Sequence, residues 1–266
     1  MAKGFDCAAP LTAGKLQLFK RDGYTFVGRY LADPSAGKRL WPAEAQLITD
    51  AGMYIVSIFE RYTNRVREGA RAGEIDGQLA LQYAREVGQP ERTTIYFCVD
   101  YDAPESDYEL IEAYMRATDE QLEGYELDAY GSYAVIQMLR DRGVIRPADG
   151  MQTYAWSADK WVDNPRIKQY ENDVTVNGHQ IDRCESNGDA GGWQIGMIVP
   201  RGDGITDDTV AIQEMIDAPT SKLSQEDGEK LVSILQSVWG LMPTAESRDE
   251  VHRLAEVVRA AAGIET

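Results

Sequence analysis

Histidine and cysteine are scarce in this chain of 266 residues. Only two histidines occur, His179 and His252, so a histidine-rich site for a transition metal is not expected. The three cysteines cannot all pair with one another, and their spacing matches no zinc motif. We therefore expect small buried thiols in a reducing compartment, with no metal and no cofactor. Whether Cys7 and Cys184 ever pair stays open at this point.

Basic residues are also few: 27 lysines and arginines stand against 44 acidic residues, which gives a formal charge of −17. Such a chain cannot neutralise phosphates over a continuous face, and this argues against nucleic acid as a partner. The same excess repels anionic polymers at long range, so a wall polymer would have to be held by local contacts.

Long apolar runs are absent as well. No stretch approaches the roughly 20 apolar residues of a membrane span, so membrane insertion is not expected. The first ten residues, MAKGFDCAAP, contain no signal-peptide core. From this we expect synthesis in the cytoplasm without a signal peptide, and another export route for any role outside the cell.

What the chain does contain is an alternation of strand-like and helix-like segments over about two hundred residues. Eight strands alternating with helices predict a (β/α)₈ barrel. A doubly wound open sheet is the alternative, but no glycine-rich phosphate loop follows the first strand. The eight predicted strands are residues 3–8, 26–31, 53–60, 94–100, 127–133, 151–157, 167–170 and 179–185.

After about residue 200 the pattern changes to a turn-rich linker and two amphipathic helical segments. We therefore divide the chain into a barrel, residues 1–199, and a linker with a helical C-terminal region, residues 200–266. Two such helices cannot bury much by themselves. They are expected to form a hairpin docked on the barrel, or an element for self-association or attachment to a particle.

Acidic residues stand at the ends of four predicted strands. Side chains alternate along a strand, so Asp100 and Asp102 share one face. In a barrel these strand ends open on the face where barrel enzymes place their chemistry. The candidate catalytic carboxylates are Asp6, Glu60, Asp100, Asp102 and Asp182.

Crowded carboxyls raise one another's pKa, so one member can hold a proton while others stay ionised. Glycoside hydrolysis needs this combination of an acid and an ionised partner. Aromatic residues at the same strand ends would offer flat apolar faces to sugar rings. The candidate substrate-binding residues are Tyr101, Tyr130, Trp156 and Tyr170.

Two other interpretations of the carboxylates remain open. Asp-x-Asp at residues 100–102 is also a pattern for a hard cation. Each carboxylate taken alone could be a helix cap or an acceptor for a loop hydrogen bond. The joint occurrence at corresponding places in four strands favours a functional cluster, whereas each aromatic residue taken singly is better explained by rim or core packing.

Several short motifs recur in the same order in a known family: GFDCAAPLT, VDYD, GSYA, YAW and KQYENDVTVNGHQIDRCE. The chain resembles the glycoside-hydrolase-like domain of unknown function found in actinobacterial secreted proteins and phage proteins. That family is similar to the family 25 glycoside hydrolases, muramidases of the Chalaropsis lysozyme type. The resemblance covers about residues 3–193.

The resemblance implies roles for individual residues. Asp6 and Asp182 match the aspartates of the muramidases' first and last strands, and Asp100 matches the first acid of their Asp-x-Glu motif. Asp102 stands where these enzymes have the proton-donating glutamate. One methylene fewer withdraws the carboxyl by about 1.5 Å, and a misplacement of about 1 Å can lower the rate on the order of 10²-fold. Glu60 is an alternative donor.

Two functional hypotheses follow from the resemblance. The first is a peptidoglycan-directed glycoside hydrolase of the muramidase or endolysin type, reaching the wall after holin-type release or as a virion component. The second is a catalytically weak or inactive protein that binds glycan, or a phage structural protein that keeps the barrel. An enzyme must place a protonated carboxyl within about 2.6–3.2 Å of the scissile oxygen, whereas a binder need not.

Overall fold

The computed structural model describes residues 1–199, 224–239, 251–252, 254–256, 258–259 and 262–264. The chain forms two compact units, Met1–Val199 and Pro200–Thr266. The predicted linker lies in residues 200–223, outside the described residues. Among the described residues, no helix combines the length and apolarity needed to cross a membrane.

Eight strands close into a barrel in the order of the sequence, which confirms the predicted fold class. Seven of them run parallel, and each pairs with the next along the chain. The strands are Ala2–Asp6 (β1), Phe26–Leu31 (β2), Tyr54–Phe59 (β3), Thr94–Cys98 (β4), Glu126–Gly131 (β5), Met151–Thr153 (β6), Ile167–Val176 (β7) and His179–Ser186 (β8).

Helices follow each of the first five strands. Their starts carry the expected signals: Thr12 and Ser132 accept hydrogen bonds from backbone N–H groups as N-caps, and Pro42 occupies a first-turn position. Glycine at residue 52 lies just beyond the second helix at φ +67°. The helices are Ala13–Arg21 (α1), Pro42–Asp50 (α2), Ala70–Glu86 (α3), Tyr108–Asp119 (α4) and Tyr133–Asp141 (α5).

The eighth strand departs from a regular (β/α)₈ barrel because it runs antiparallel to both β7 and β1. The reason is local: Asn177 and Gly178 join β7 to β8 with φ values of 53° and 64°. Two consecutive residues with positive φ match a type I′ hairpin turn, for which Asn-Gly is a strongly preferred sequence. The predicted alternation of strands and helices therefore ends after α5, since turns and a hairpin replace the later helices.

Side chains alternate between an inner and an outer core. The barrel interior is filled by residues that include Phe26, Val56, Ile58, Tyr96 and Met151. The layer between sheet and helices is larger and contains the intervening residues of the same strands, as the period of two requires. Cys184 lies in the inner core and Cys7 in the outer one, so the two thiols lie on opposite sides of the wall; both are free.

One buried ion pair ties the first loop to the barrel. Arg29 in β2 is completely buried and donates from Nε and Nη2 to the two carboxylate oxygens of Glu44, at 2.8 and 3.1 Å. Its Nη1 donates to the carbonyl oxygens of Cys7 and Ala8 at 2.6 and 3.2 Å. Glu44 also accepts the backbone N–H of Leu11 at 2.8 Å. The β1–α1 connection is therefore held by charge-assisted hydrogen bonds.

The second unit contains the helix Gln225–Trp239 (α6) and further helical residues between positions 251 and 262. Their apolar faces meet, since Val232 and Leu235 are buried together with Val251, Ala255 and Val258. The amphipathic pattern of this region therefore reflects packing between its own helical segments. The side chains of Ile234 and Val238, in the same helix, lie outside the described set.

Replacing Arg29 by methionine is expected to lower the free energy of unfolding by about 3–5 kcal/mol, because Glu44 would be left as an unpaired buried charge. Denaturant unfolding followed by tryptophan fluorescence measures the change. Arg142→Met removes the partly exposed pairs to Glu109 and Glu112 and is expected to leave the free energy of unfolding nearly unchanged. Equal losses in the two variants would contradict the role assigned to Arg29.

Candidate functional site

The candidate site lies at the carboxyl ends of the parallel strands, here called the mouth. Asp6, the last residue of β1, is paired in register with Asp182 of β8 on one side and Gly28 of β2 on the other. Because β8 runs the other way, Asp182 reaches the mouth from the first half of its strand. A Cβ added to Gly28 would stand 2.6 Å from Asp6 Cβ, so this glycine leaves room for the aspartate.

Asp6 is removed from water. It is 2% exposed, and its Oδ2 accepts hydrogen bonds from Gln169 Nε2 at 2.8 Å and Cys184 Sγ at 3.4 Å. Burial, followed by the charge of Asp182, raises the pKa of Asp6 from 3.8 to about 7, and these hydrogen bonds offset part of the rise. Near neutral pH, Asp6 is therefore a carboxyl that can hold a proton.

Asp182 is half-buried. Its Oδ1 accepts the backbone N–H of Asp173 at 2.7 Å, and its Oδ2 lies 3.4 Å from Gln169 Nε2. Burial raises its pKa, while the bond from the Asp173 backbone lowers it. Asp173 has a φ of 58°, in the left-handed region, and follows a break in the β7–β8 register. This strained backbone conformation directs the N–H of Asp173 toward the Asp182 carboxylate in the mouth.

Gln169 connects the acids to the barrel wall. It is 2% exposed; its Oε1 accepts the hydroxyl hydrogen of Tyr130 at 2.9 Å, and its Nε2 faces Asp6 and Asp182. Burial raises the pKa of Tyr130 well above 10, so the phenol remains a neutral donor. The chain from Tyr130 through Gln169 to the two aspartates fixes the orientation of the Gln169 amide.

A second group of charges involves Asp100, Glu60 and Lys38. Burial, followed by the charge of Glu60, raises the pKa of Asp100, whereas Lys38 and a hydrogen bond with Tyr130 lower it. Asp182 also acts on Asp100, which links the two groups. Lys38 Nζ pairs with Glu60 Oε2, so this strand-end acid has a basic partner.

The structure brings together four of the five predicted carboxylates: Asp6, Asp182, Asp100 and Glu60. The fifth, Asp102, is exposed beyond the end of β4, and its charge acts on the Tyr108 phenol at the start of α4. The described residues contain no group of three or more acidic, histidine or cysteine side chains placed to hold a metal ion.

The predicted aromatic residues are dispersed. Tyr130 lies inside the barrel beside the acids, and Trp156 is 43% exposed in the loop after β6, on the mouth side. Tyr101 turns toward the outer core and donates to Asp107 Oδ2 at 3.0 Å. Tyr170 stands at the first break in the β7–β8 register, 40% exposed, with Arg183 and Tyr24 acting on its phenol. Tyr101 and Tyr170 therefore do not join the mouth group.

Two residues of the site were missed from the sequence. Gln169 could have been found by alternation, because Ile167 faces the interior and the residue two positions later shares its face. We selected the neighbouring aromatic residue Tyr170 instead, whose side chain lies on the opposite face of the strand. Lys38 comes from a loop without periodicity, and no sequence signal pointed to it.

Residues 17–187, more than half of the chain, match the family model described as Rv2525c-like, glycoside hydrolase-like domain. The chain belongs to this family. It is 33% identical over 108 residues to FadG of Bacillus subtilis, a match that covers 38% of this chain and 18% of FadG. The chain thus matches less than a fifth of the length of that relative.

Two solved structures show the same fold as the family domain. The Tat-secreted protein Rv2525c of Mycobacterium tuberculosis has a TM-score of 0.64 at 21% identity, covering 72% of this chain and 98% of that one. The autolysin LytC of Streptococcus pneumoniae has a TM-score of 0.50 at 11% identity, covering 69% of this chain and 46% of LytC. These values establish the similarity of the barrels alone.

The Rv2525c finding corrects the expected localisation. We expected synthesis without a signal peptide, followed by holin-type release or incorporation in a virion. A structural neighbour of this domain is instead Tat-secreted, a signal-dependent export. The expectation was wrong because it took the first residues of this sequence as evidence of the export route.

The Gly28→Ala variant is expected to be less stable by about 1–3 kcal/mol, because the new methyl group overlaps Asp6 Cβ and Ile58 Cδ1, 2.6 and 2.8 Å away. Thermal or denaturant unfolding measures the loss. Gly14→Ala in α1 is the matched control: its Cβ meets nothing within 4 Å, and a gain of up to about 1 kcal/mol is expected. A neutral Gly28→Ala would contradict the close packing around Asp6.

Stability is expected to fall as the pH rises from about 4 to about 7. Folded Asp6 binds its proton more tightly than the unfolded chain does, so its stabilising contribution is present below the unfolded pKa of 3.8 and is lost toward 7. In Asp6→Asn this decline should shrink by on the order of 3 kcal/mol. Asp128, whose pKa burial also raises to about 7, contributes with the same sign, so part of the decline remains.

The measurement is the free energy of unfolding at several pH values for the wild type, Asp6→Asn and Asp141→Asn. Asp141 is exposed at the end of α5, so its variant is the control for replacing an aspartate outside the mouth. An unchanged slope in Asp6→Asn would show that Asp6 is ionised in the folded protein throughout this range.

Proposed function

We propose that the protein is a glycoside hydrolase acting on peptidoglycan or a related glycan. The observation that carries this proposal is the group of carboxyls at the mouth. Several of these carboxyls have a raised pKa, and they differ in how deeply they are buried. Glycosidic bond cleavage requires one carboxyl that gives a proton to the leaving oxygen and another that stays ionised near the sugar. Membership of a glycoside hydrolase-like family supports the reaction class.

Asp100 is the proton donor in this proposal. It is half-buried, so it retains access to a ligand in the mouth, and burial beside Glu60 raises its pKa. Tyr130, whose hydroxyl hydrogen is donated to Gln169 Oε1, lies beside the Asp100 carboxyl. Glu60 is a weaker candidate for the donor because Lys38 is already paired with its carboxylate.

Asp182 is the ionised partner. It lies beside Asp6, and two neighbouring carboxyls that repel each other share one proton. The more deeply buried Asp6 retains that proton, so the negative charge remains on Asp182. The amide of Asp173 stabilises this charge, which faces the mouth and could stabilise an oxocarbenium-like centre.

Asp102 remains the donor that the family 25 resemblance implies, and its exposure leaves it free to meet a substrate. Exposed Tyr154 and Trp156 follow β6 and would offer faces to sugar rings. LytC was solved with a synthetic peptidoglycan ligand, which for this chain suggests the first substrate to test. Self-association or attachment through residues 200–266 stays a prediction.

The test is the release of reducing ends from purified peptidoglycan by folded wild type and variants. Asp100→Asn and Asp182→Asn are expected to lower the rate by at least about 10²-fold, the size of general acid–base and charge-stabilising contributions. Asp141→Asn, far from the mouth, serves as the matched control. Loss of activity in Asp102→Asn together with retention in Asp100→Asn would move the donor to Asp102.

A binding protein predicts a different result. The wild type would release no reducing ends from several wall types, yet it would still sediment with peptidoglycan. Removal of Trp156 as Trp156→Ala would then weaken sedimentation without affecting the unfolding transition. That outcome would reject hydrolysis and leave the carboxylates as ligand contacts.

A further inference from the structure

Lys38 is a cation placed directly against the acidic mouth. Its ammonium pairs with the Glu60 carboxylate and lies 4.6 Å from the centroid of the Tyr30 ring. The Lys38 and Glu60 side chains are 23% and 14% exposed, so the pair is only partly screened by water. Glu60 is in turn the neighbouring charge that acts most strongly on Asp100, so Lys38 is electrostatically connected to the proposed proton donor.

The segment that carries Lys38 is anchored on the opposite side. Arg39 is 3% exposed, donates to the carbonyl of Ala32 at 2.7 Å and pairs with Glu86 of α3. Its guanidinium lies between the rings of Trp41 and Tyr83, 4.6 and 4.5 Å from their centroids.

The backbone of the segment is held as well, because Leu40 N–H donates to Tyr30 O at 2.8 Å. Neighbouring residues thus point in opposite directions, with Arg39 fixed in the outer layer and Lys38 toward Glu60. The contacts of Arg39 and Leu40 therefore hold this segment close to Glu60 independently of the Lys38–Glu60 pair.

Several elements contribute groups around Asp100, and they act with both signs. The acidic neighbours raise its pKa, while Lys38 and the Tyr130 hydrogen bond lower it. Cys98, on the strand that leads to Asp100, is a neutral thiol because burial raises its pKa well above 9. The facing groups are Lys38 before α2, Glu60 after β3, Cys98 in β4, Tyr130 in β5 and Asp182 in β8.

We propose that Lys38 is a positioning residue of the mouth: its ammonium, paired with Glu60, balances the negative charge that faces Asp100. The consequence for catalysis rests on the proposed function, whereas the effect on Asp100 does not.

The proposal predicts opposite shifts in two variants of the full chain. In Lys38→Met, Asp100 loses the cation and keeps the neighbouring anion, so its pKa rises by on the order of 1 unit. In Glu60→Gln, Asp100 keeps the cation and loses the anion, so its pKa falls. The double variant removes both charges and is expected to return close to the wild-type value.

The measurement is a ¹³C NMR titration of carboxyl-labelled aspartates, with the Asp100 signal identified by its absence in Asp100→Asn. Lys160→Met is the matched control, because Lys160 also lies over a tyrosine ring, 5.6 Å from the centroid of Tyr133, and should leave Asp100 unchanged. Lys38→Arg keeps the charge and should preserve the wild-type titration.

An unchanged Asp100 titration in Lys38→Met, or shifts of the same sign in both single variants, would overturn the proposal. If Lys38→Met does not fold, Glu60→Gln and the double variant still decide: a fall in the first that is reversed in the second supports the proposal, and an equal fall in both rejects it.

Activity gives a separate readout. If Asp100 is the donor, the alkaline limb of kcat/KM moves up in pH in Lys38→Met and down in Glu60→Gln. Opposite NMR shifts in a protein that cleaves no glycan would support the role of Lys38 and reject the proposed function. Hydrolysis together with an unchanged Asp100 titration would support the proposed function and reject the role of Lys38.

Discussion

A carboxyl group taken out of water must keep its proton or find compensating partners, and the packing around Asp6 does both. The aspartate is surrounded by an amide, a thiol and a second carboxyl, and a glycine beside it provides the space. This environment is costly for a charged group. It is maintained because the closed barrel holds the strands on both sides in register.

The reversal of β8 is the architectural condition for that environment. An antiparallel β8 gives the barrel a hairpin in place of the last crossover helices, and within this hairpin the register of β7 against β8 is irregular. One break follows Gln169, which faces inward, and the next region places Asp173 with its N–H on Asp182. The two strands thus supply Asp182, the Asp173 N–H that donates to it, and the Gln169 side-chain amide that connects it to Asp6.

Much of this could be predicted from residue patterns, and the failures have physical causes. The β-branched runs located the strands, and the acidic residues at their ends located the four grouped carboxylates. Both could be found because alternation with a period of two and the end of a strand are local properties of a sequence. The direction of β8 was missed although Asn177 and Gly178 signalled it. The ion pair of Lys38 with Glu60 depends on a loop whose course is set by Arg39 and α3, and such contacts leave no periodic trace.

The two-residue turn at Asn177–Gly178 has a consequence for how this domain can vary. A loop of two residues cannot absorb an inserted residue, so the lengths of the two strands determine how they pair. One inserted residue between Asp173 and Asp182 would force a slip, and a slip by one position sends every side chain beyond it to the other side of the wall. Helical connections elsewhere in the barrel can lengthen without disturbing the acids, whereas this hairpin can change its surface chemistry but not its length.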